Sequence, residues 1–216
     1  EMCIRDRSDA TGDIHKYCFE LAKVLEKKYG VDFKFSETIK DIKKSNKPIL
    51  QTNKNEYEFD DIILCTGVET ERFRRKFGDS FRIYPVKGYS VTVDLEDDKS
   101  RESAPFVSLL DDPSKLVASR LGNRLRVAGT AELAGYNKDI RSNRIKPLLK
   151  WINELFPEVN TKNYLPWTGL RPMSSDMVPI IKESKRKNVF YNSGHGHLGW
   201  TMGTYSGKLA ADLVDQ

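Results

Sequence analysis

Residues Asn188–Val214 read NVFYNSGHGHLGWTMGTYSGKLAADLV, and this stretch decides the fold of the chain. It opens with three β-forming residues, Val189, Phe190 and Tyr191. Three glycines follow, and helical spacing of small residues begins at Trp200. The pattern predicts a strand, a glycine turn and a helix.

The spacing of Gly194, Gly196 and Gly199 formally matches the dinucleotide-binding fingerprint. That fingerprint continues into a second strand with an acidic residue about 20 positions on, whereas this chain stops 17 residues after Gly199. We therefore do not expect the motif to begin a Rossmann unit. Its glycines and helix N-terminus still suit a flat or anionic ligand. The alternative is a strand-to-helix turn whose small residues only allow close packing.

Composition limits the class of protein. The 216 residues suffice for one large or two small domains, and the chain is 38% hydrophobic and 31% charged. No run approaches the roughly 20 apolar residues of a membrane span, so we predict a soluble, cytoplasmic protein. Three cysteines without CxxC spacing favour a reducing compartment. Three histidines without carboxylates at ligand spacing argue against a metal site.

The net charge of +5 includes two basic clusters, one at Lys43, Lys44 and Lys47 and one at Lys182, Lys185, Arg186 and Lys187. Basic loops can bind nucleic acid or anionic lipid. Both clusters fall at polar turns between strands, so we interpret them as solvated. Nucleic-acid binding would need aromatic residues interleaved with the basic ones on one sheet, and it is not expected.

The first half of the chain is predicted to contain one helix and several short strands. Residues 1–8 show no period or cap and are expected to be a non-native leader of a truncated gene. A turn at Asp9–Asp13 leads into a helix at Ile14–Tyr29 with Gly30 as its C-cap. Asp61–Thr66 is an apolar run that predicts a strand buried on both faces, with its C-terminal end at a ligand or packed turn. Four further short strands are predicted between these elements, at Val31–Phe35, Ile39–Ile42, Ile49–Thr52 and Glu56–Phe59.

The second half predicts an antiparallel sheet. A helical connector at Glu69–Phe77 precedes it, and an amphipathic helix at Ser142–Phe156 follows it. Leu165–Ile181 reads as an irregular segment that contains Arg171. A lone arginine is usually a surface ion pair, but one in a rigid apolar loop suits bidentate capture of a carboxylate. The predicted strands of the sheet are Arg82–Leu95, Phe106–Leu110, Lys115–Arg120 and Arg124–Gly129.

Six motifs in order resemble the second half of the FAD-dependent D-amino-acid oxidase superfamily, most closely the bacterial D-amino acid dehydrogenase small subunits. Each motif is weak alone, but their order from Asp9 to the C-terminus makes the resemblance specific. The family's opening strand, GxGxxG loop, helix and acid are not found before Asp9. The six motifs are DATGD (Asp9–Asp13), IILCTG (Ile62–Gly67), YPVKGYS (Tyr84–Ser90), GTAE (Gly129–Glu132), WTGLRPMSSDMVPII (Trp167–Ile181) and GHGHLGWTMGTYSGKLAADL (Gly194–Leu213).

The resemblance implies an α/β fold with α+β elements. It consists of an incomplete FAD-binding domain of the Rossmann-like, glutathione-reductase type and an antiparallel-sheet substrate domain. Segments 9–70 and 165–216 would form the FAD domain, and segment 71–164 the substrate domain. Two positions depart from the family pattern: Tyr205, where relatives often carry a small residue, and Met177, where glycine is common.

The resemblance also implies the site. Arg171 would bind the substrate carboxylate, and Tyr89 is a candidate second carboxylate contact or orienting contact. Thr66 and Gly67 would form a turn close to the FAD ribose and phosphates, and the backbone of Ile39 would contact the adenine. No general base stands out, and no metal is expected. The isoalloxazine ring would lie along Gly194, His195, Gly196, His197, Leu198, Gly199, Trp200 and Thr201.

The implied reaction is oxidative deamination of D-amino acids to 2-oxo acids and ammonia, with hydride transfer from Cα to flavin N5. The implied electron acceptor is a respiratory quinone, with peripheral attachment to the inner membrane. Two alternatives stay open: a glycine- or sarcosine-type amine oxidase of the same superfamily, and a non-catalytic standalone fragment.

Overall fold

The computed structural model describes residues 12–43 and 45–216. The predicted leader, most of the Asp9–Asp13 turn and Lys44 lie outside these residues. The helices are α1 (Ile14–Tyr29), α2 (Thr70–Phe77), α3 (Asp98–Ser103), α4 (Ser142–Leu155) and α5 (Gly199–Val214). The strands are β1 (Ile39–Lys43), β2 (Ile49–Thr52), β3 (Glu56–Glu58), β4 (Ile62–Leu64), β5 (Ile83–Asp94), β6 (Leu109–Asp111), β7 (Leu116–Arg120), β8 (Arg124–Glu132), β9 (Leu165–Ser174), β10 (Ile180–Glu183) and β11 (Val189–Ser193).

The chain forms two compact units. Unit 1 consists of Val86–Leu170 with the described part of residues 1–17, and unit 2 of Cys18–Pro85 with Arg171–Gln216. The division into segments 9–70, 71–164 and 165–216 stays a prediction.

Unit 1 is built on a five-stranded sheet in the order β6-β7-β8-β5-β9. The pairs β6–β7 and β7–β8 are antiparallel, as the hairpin turns of the sequence predict. The pair β5–β8, whose strands are not consecutive, is also antiparallel. Alternate residues such as Val91 on β5 and Val127 on β8 are fully buried, and they form one core with Leu148 and Ile152 of α4. The period of 2 in the strands and of 3.6 in the helix therefore produces the packing.

Unit 2 contains two three-stranded sheets. The first is an antiparallel meander in the order β1-β2-β3, as predicted. In the second, with the order β10-β11-β4, β10 and β11 are antiparallel and β11 and β4 are parallel. Ile42, Leu64, Phe73 and Tyr191 are buried in the core of this unit. The β11–β4 pair thus joins two segments that lie far apart in the sequence.

The prediction that the Asp61–Thr66 strand is buried on both faces is wrong in this structure. Ile62 and Leu64 are buried, but the side chain of Ile63 is 41% exposed. Phe190 of β11 lies opposite Ile63 on the same face and is buried, so the cover of that face ends at the edge strand β4. The apolar run therefore marks a strand with one buried face.

Two other predictions from the sequence are wrong. Val31–Phe35 forms no strand, because no described strand pairs with it, and the rings of Phe33 and Phe35 stack 5.5 Å apart instead. Leu165–Ile181 is not irregular, since it contains β9 and the start of β10. Its prolines are tolerated because β9 lies at the edge of the sheet, where a missing ladder N–H has no partner to lose. Arg171 consequently lies on a strand.

Helix α1 has the predicted bounds. The Asp13 carboxylate accepts hydrogen bonds from the backbone N–H groups of His15 at 3.0 Å and Lys16 at 3.3 Å. Gly30 ends the helix with φ = +67°. Both ends therefore follow from ordinary capping chemistry.

Met177, one of the departures from the family pattern, has φ = +63°. This left-handed conformation costs a non-glycine residue about 1 kcal/mol. Met177→Gly should therefore raise the free energy of unfolding in urea by up to about 1 kcal/mol, reduced by the greater entropy of glycine in the unfolded chain. The matched control, Met202→Gly inside α5, should lower it by about 1 kcal/mol. A loss of stability at position 177 equal to that at 202 would contradict the prediction.

Candidate functional site

The carboxyl ends of β4 and β11 define the candidate site. The two strands are parallel, with Leu64 opposite Tyr191, so the turns that follow them lie at the same edge. Thr66 and Gly67 follow β4, and the glycine loop follows β11. The structure therefore brings together two predicted segments, at the kind of edge where open α/β sheets bind ligands.

A chain of hydroxyl groups links these two turns. The Oγ1 of Thr70, which is fully buried, donates to Ser193 Oγ at 2.9 Å, and Ser193 Oγ donates to the carbonyl of Gly67 at 3.2 Å. Thr66 Oγ1 therefore donates to Thr70 Oγ1, at 2.9 Å. Sequence reasoning missed Thr70 and Ser193, because hydroxyl residues beside turns carry no signal of a partner 123 residues away.

The glycine loop lies against the end of β9. The N–H of Gly196 donates to the carbonyl of Pro172 at 2.9 Å, and His195 forms an antiparallel bridge with Met173. Gly196 has φ = +57°, and a Cβ there would lie 2.6 Å from Met173 Sδ. The left-handed backbone therefore explains this glycine better than the contact with the flexible Met173 side chain does, and the backbone contacts place the loop beside the residues that directly follow Arg171. Arg171 itself is half-buried.

Helix α5 begins at Gly199, one residue before the predicted start. Among the described residues no side chain caps its N-terminus. Its first N–H groups therefore retain hydrogen-bonding capacity and positive partial charge. Outside the helix itself, no described atom lies within 4 Å of a Cβ placed on Gly203 or Gly207. Close packing within the described residues thus does not explain these two glycines.

His195 connects the glycine loop to α5. Its Nε2 lies 2.8 Å from Ser206 Oγ, and Ser206 Oγ donates to the carbonyl of Gly203 at 3.1 Å. Because the hydroxyl proton is used in that bond, Nε2–H of His195 is the donor to Ser206. Burial lowers the pKa of His195 below its usual value. His197, by contrast, is exposed.

Ile39 begins β1 and is fixed by α2. Its carbonyl accepts a hydrogen bond from Arg72 Nη2 at 3.1 Å, and Arg72 Nη1 donates to the carbonyl of Lys40 at 3.3 Å. The predicted adenine contact therefore has a fixed backbone position in unit 2.

Tyr89 lies in the core of unit 1, with only 1% of its surface exposed. Its hydroxyl donates to Glu132 Oε2 at 2.6 Å, and Arg141 donates to Glu132 Oε1 at 2.5 Å. The fully buried Lys87 donates to Asn137 Oδ1 at 2.9 Å, with its Nζ 3.7 Å from Glu132 Oε2. The hydroxyl of Tyr89 and these cations hold the pKa of Glu132 below its usual range. A substrate contact by Tyr89 stays a prediction.

Within the described residues, no group of three or more His, Cys, Asp or Glu side chains is placed to hold a metal ion. In that same part of the chain, every helix is too short or too polar to cross a membrane. The groups that the candidate site offers are backbone N–H and C=O groups, hydroxyls, an imidazole and a guanidinium.

The model of the FAD dependent oxidoreductase family, DAO, matches residues 2–213. The chain belongs to this family, and FAD is the cofactor of the family.

Curated relatives extend beyond this chain. The chain is 45% identical over 212 residues to "D-amino acid dehydrogenase 3" of Mesorhizobium japonicum, covering 96% of this chain and 51% of the relative. It is 38% identical over 210 residues to "D-amino acid dehydrogenase" of Neisseria meningitidis, covering 96% of this chain and 49% of the relative. The chain thus spans about half the length of the curated relatives that it matches.

Solved structures share the fold at lower identity. Glycine oxidase from Bacillus cereus superposes with a TM-score of 0.74 at 22% identity, covering 86% of this chain and 52% of that one. Iminodiacetate oxidase from Chelativorans sp. superposes with a TM-score of 0.72 at 18% identity, covering 83% of this chain and 49% of that one. The predicted fold class, an FAD-binding α/β arrangement with an antiparallel sheet, is therefore confirmed.

The histidine linkage predicts a pH effect. The folded-state pKa of His195 lies below its unfolded value of about 6.5, so the unfolded chain binds more protons as the pH falls through that value. Lowering the pH from about 7.5 to about 5 should therefore destabilise the wild type more than His195→Gln, whose amide N–H can still donate to Ser206. Urea unfolding at both pH values measures the difference. His197→Gln is the matched control and should keep the wild-type response, whereas a wild-type response in His195→Gln would refute the assignment.

Proposed function

We propose that the protein to which this chain belongs oxidises D-amino acids by FAD-dependent oxidative deamination. The observation that carries the proposal is the position of Arg171, one residue before the backbone contacts that join β9 to the glycine loop. The names of the sequence relatives support a D-amino acid as substrate over glycine or sarcosine. The glycine oxidase structure shares the fold alone, at 22% identity.

Residues of unit 2 would hold FAD: Ile39, the Thr66–Gly67 turn and the Gly194–Thr201 loop. Two buried polar atoms beside the loop support this, because Ser174 Oγ and Asn192 Oδ1 have no hydrogen-bond partner among the described residues. Buried polar groups are normally paired, so such atoms point to a missing partner. FAD, when bound, supplies the two-electron acceptor that amino-acid side chains lack.

The N-terminus of α5 contributes electrostatics. Its uncapped N–H groups and the helix dipole favour negative charge on a group bound at the glycine loop. A cofactor that gains electrons there is easier to reduce. The open surface at Gly203 and Gly207 permits close approach of a flat ring to the helix.

Arg171 would position the substrate. Arginine presents a cationic guanidinium whose planar fork matches a carboxylate. Partial burial strengthens such a pair relative to one in bulk water. The amino acid loses two electrons and two protons to give the imino acid, and water then hydrolyses the imino acid to the 2-oxo acid and ammonia.

Tyr89 is the second proposed contact. Because its hydroxyl donates its proton to Glu132, the oxygen can only accept a further hydrogen bond. It therefore suits the substrate amino group and not the carboxylate. Of the two roles that the sequence left open, the geometry favours the orienting one.

The dehydrogenase names of the relatives favour an electron carrier over oxygen as acceptor. A respiratory quinone is the proposed carrier, with the protein attached peripherally to the membrane that holds it. Reduction of a soluble quinone analogue under anaerobic conditions tests this part separately.

Arg171→Ala should raise the KM for D-alanine by about 100-fold to 1000-fold, because a bidentate charge-assisted pair is lost. The FAD content, read from the visible absorbance of the purified full-length protein, should stay unchanged. The KM of Arg171→Lys should lie between the values of the wild type and Arg171→Ala. Arg144 is an exposed arginine on α4, and Arg144→Ala should have the KM of the wild type. An unchanged KM in Arg171→Ala would refute the carboxylate role. Turnover of glycine without turnover of D-alanine would instead favour a glycine-type oxidase.

Tyr89→Phe should raise the KM for D-alanine roughly fivefold to tenfold, the effect of one lost hydrogen bond. Thermal unfolding of the same variant separates this effect from the loss of the bond to Glu132. Tyr164→Phe, an exposed tyrosine of unit 1, is the matched control. If Tyr89→Phe melts earlier but keeps its KM, the tyrosine has a structural role only.

A further inference from the structure

The two basic clusters of the sequence meet in unit 2. Arg186 lies in the turn between β10 and β11, and its Nη2 donates to the carbonyls of Lys43 at 3.2 Å and Ser45 at 3.0 Å. Lys43 is the last residue of β1 and Ser45 lies in the turn that follows it, both more than 140 positions earlier in the sequence. The interpretation of each cluster as a separate solvated turn is therefore incomplete.

A cavity of about 320 Å³ opens beside this contact. Three of its lining side chains are cationic, namely Lys76, Lys185 and Arg186, while Ile42 and Phe77 form an apolar wall. Lys76 pairs with Asp41. Lys185 is exposed, and none of the described acidic residues forms an ion pair with it. We refer to this feature as the cation cavity.

The guanidinium of Arg186 has an unused donor. Its Nε is buried and has no hydrogen-bond acceptor among the described residues, although Nη2 has two. Buried donors are nearly always paired, so an unpaired N–H on a residue that lines the cavity points to an acceptor that the described residues do not supply. An anion is the acceptor that the surrounding charge favours.

We propose that the cation cavity binds a phosphate group that carries an organic substituent. Among the lining side chains, Asp41 offsets Lys76 and two positive charges remain, which match the charge of about −1.5 to −2 on a phosphate monoester. The ionised Asp79 lies under the same turn but does not line the cavity, and its carboxylate already accepts from Ser184, Tyr191 and the backbone N–H of Lys185. The apolar side chains of Ile42 and Phe77 offer a surface for the substituent. A singly charged carboxylate would leave one of the cations without a partner.

The cation cavity is distinct from the proposed FAD site. The Lys185–Arg186 turn precedes β11, and the glycine loop follows it. The two features therefore lie at opposite ends of the same strand, which is roughly 16 Å long for five residues at about 3.3 Å each. The proposal does not depend on the proposed enzymatic function.

Isothermal titration of the purified full-length protein with inorganic phosphate tests the site, with ionic strength held constant by potassium chloride. Lys185→Gln should weaken binding about fivefold to tenfold, because one charge-assisted contact is lost. Lys187→Gln is the matched control, since Lys187 is exposed in the same turn but does not line the cavity. It should change the affinity less than about twofold, as expected for a screened surface charge.

A second measurement distinguishes a free phosphate ester from a lipid headgroup. Phosphatidylcholine vesicles with and without phosphatidylglycerol are floated with the wild type and both variants. Binding to phosphatidylglycerol that requires Lys185 identifies a headgroup, and phosphate binding without vesicle binding identifies a soluble ester. The proposal is overturned if neither ligand shows dependence on Lys185, or if Lys187→Gln weakens binding as much as Lys185→Gln.

Discussion

The parallel pairing of β4 with β11 is the constraint on which the rest of unit 2 depends. It joins Ile62–Leu64 to Val189–Tyr191, although all of Val86–Leu170 lies between them in the sequence and folds as another unit. Because both strands run the same way, the Thr66–Gly67 turn and the glycine loop emerge at one edge. The buried bond from Thr70 to Ser193 then fixes the two turns together. Every group proposed to bind the cofactor, apart from Ile39, lies in a turn that follows one of these two strands.

The other end of β11 is held by a buried carboxylate. Asp79 accepts hydrogen bonds from Ser184 Oγ at 2.6 Å, the Tyr191 hydroxyl at 2.8 Å and the backbone N–H of Lys185 at 2.9 Å. Burial raises the pKa of Asp79, but these hydrogen bonds outweigh it and hold the pKa below its usual value. An ionised and fully bonded carboxylate keeps the β10–β11 turn in place. The same strand therefore positions the glycine loop at one end and the cation cavity at the other.

The sequence predicted correctly those helices and strands that are determined by neighbouring residues. Helix α1 follows from its periodicity, the Asp13 cap and Gly30, and the strands of unit 1 follow from alternation and turn residues. The failures have non-local causes. Pro166, Gly169 and Pro172 suggest a loop, and β9 is a strand only because β5 lies beside it at an edge. The acceptor for Tyr89 lies 43 positions away and that for Arg186 more than 140, and no spacing in the sequence encodes either.

The composition of the site explains why the fold alone does not fix the substrate. Most of the glycine loop consists of backbone groups, glycines and a helix end. Their position depends on the backbone conformation more than on the identity of particular side chains. Chains of 22% and 18% identity can thus share this geometry while their names specify different amines. Selectivity must then arise from the few positions where a side chain carries the contact. The positions proposed for this role are Arg171, whose strand contacts the glycine loop through its next two residues, and Tyr89, whose hydroxyl donates to Glu132.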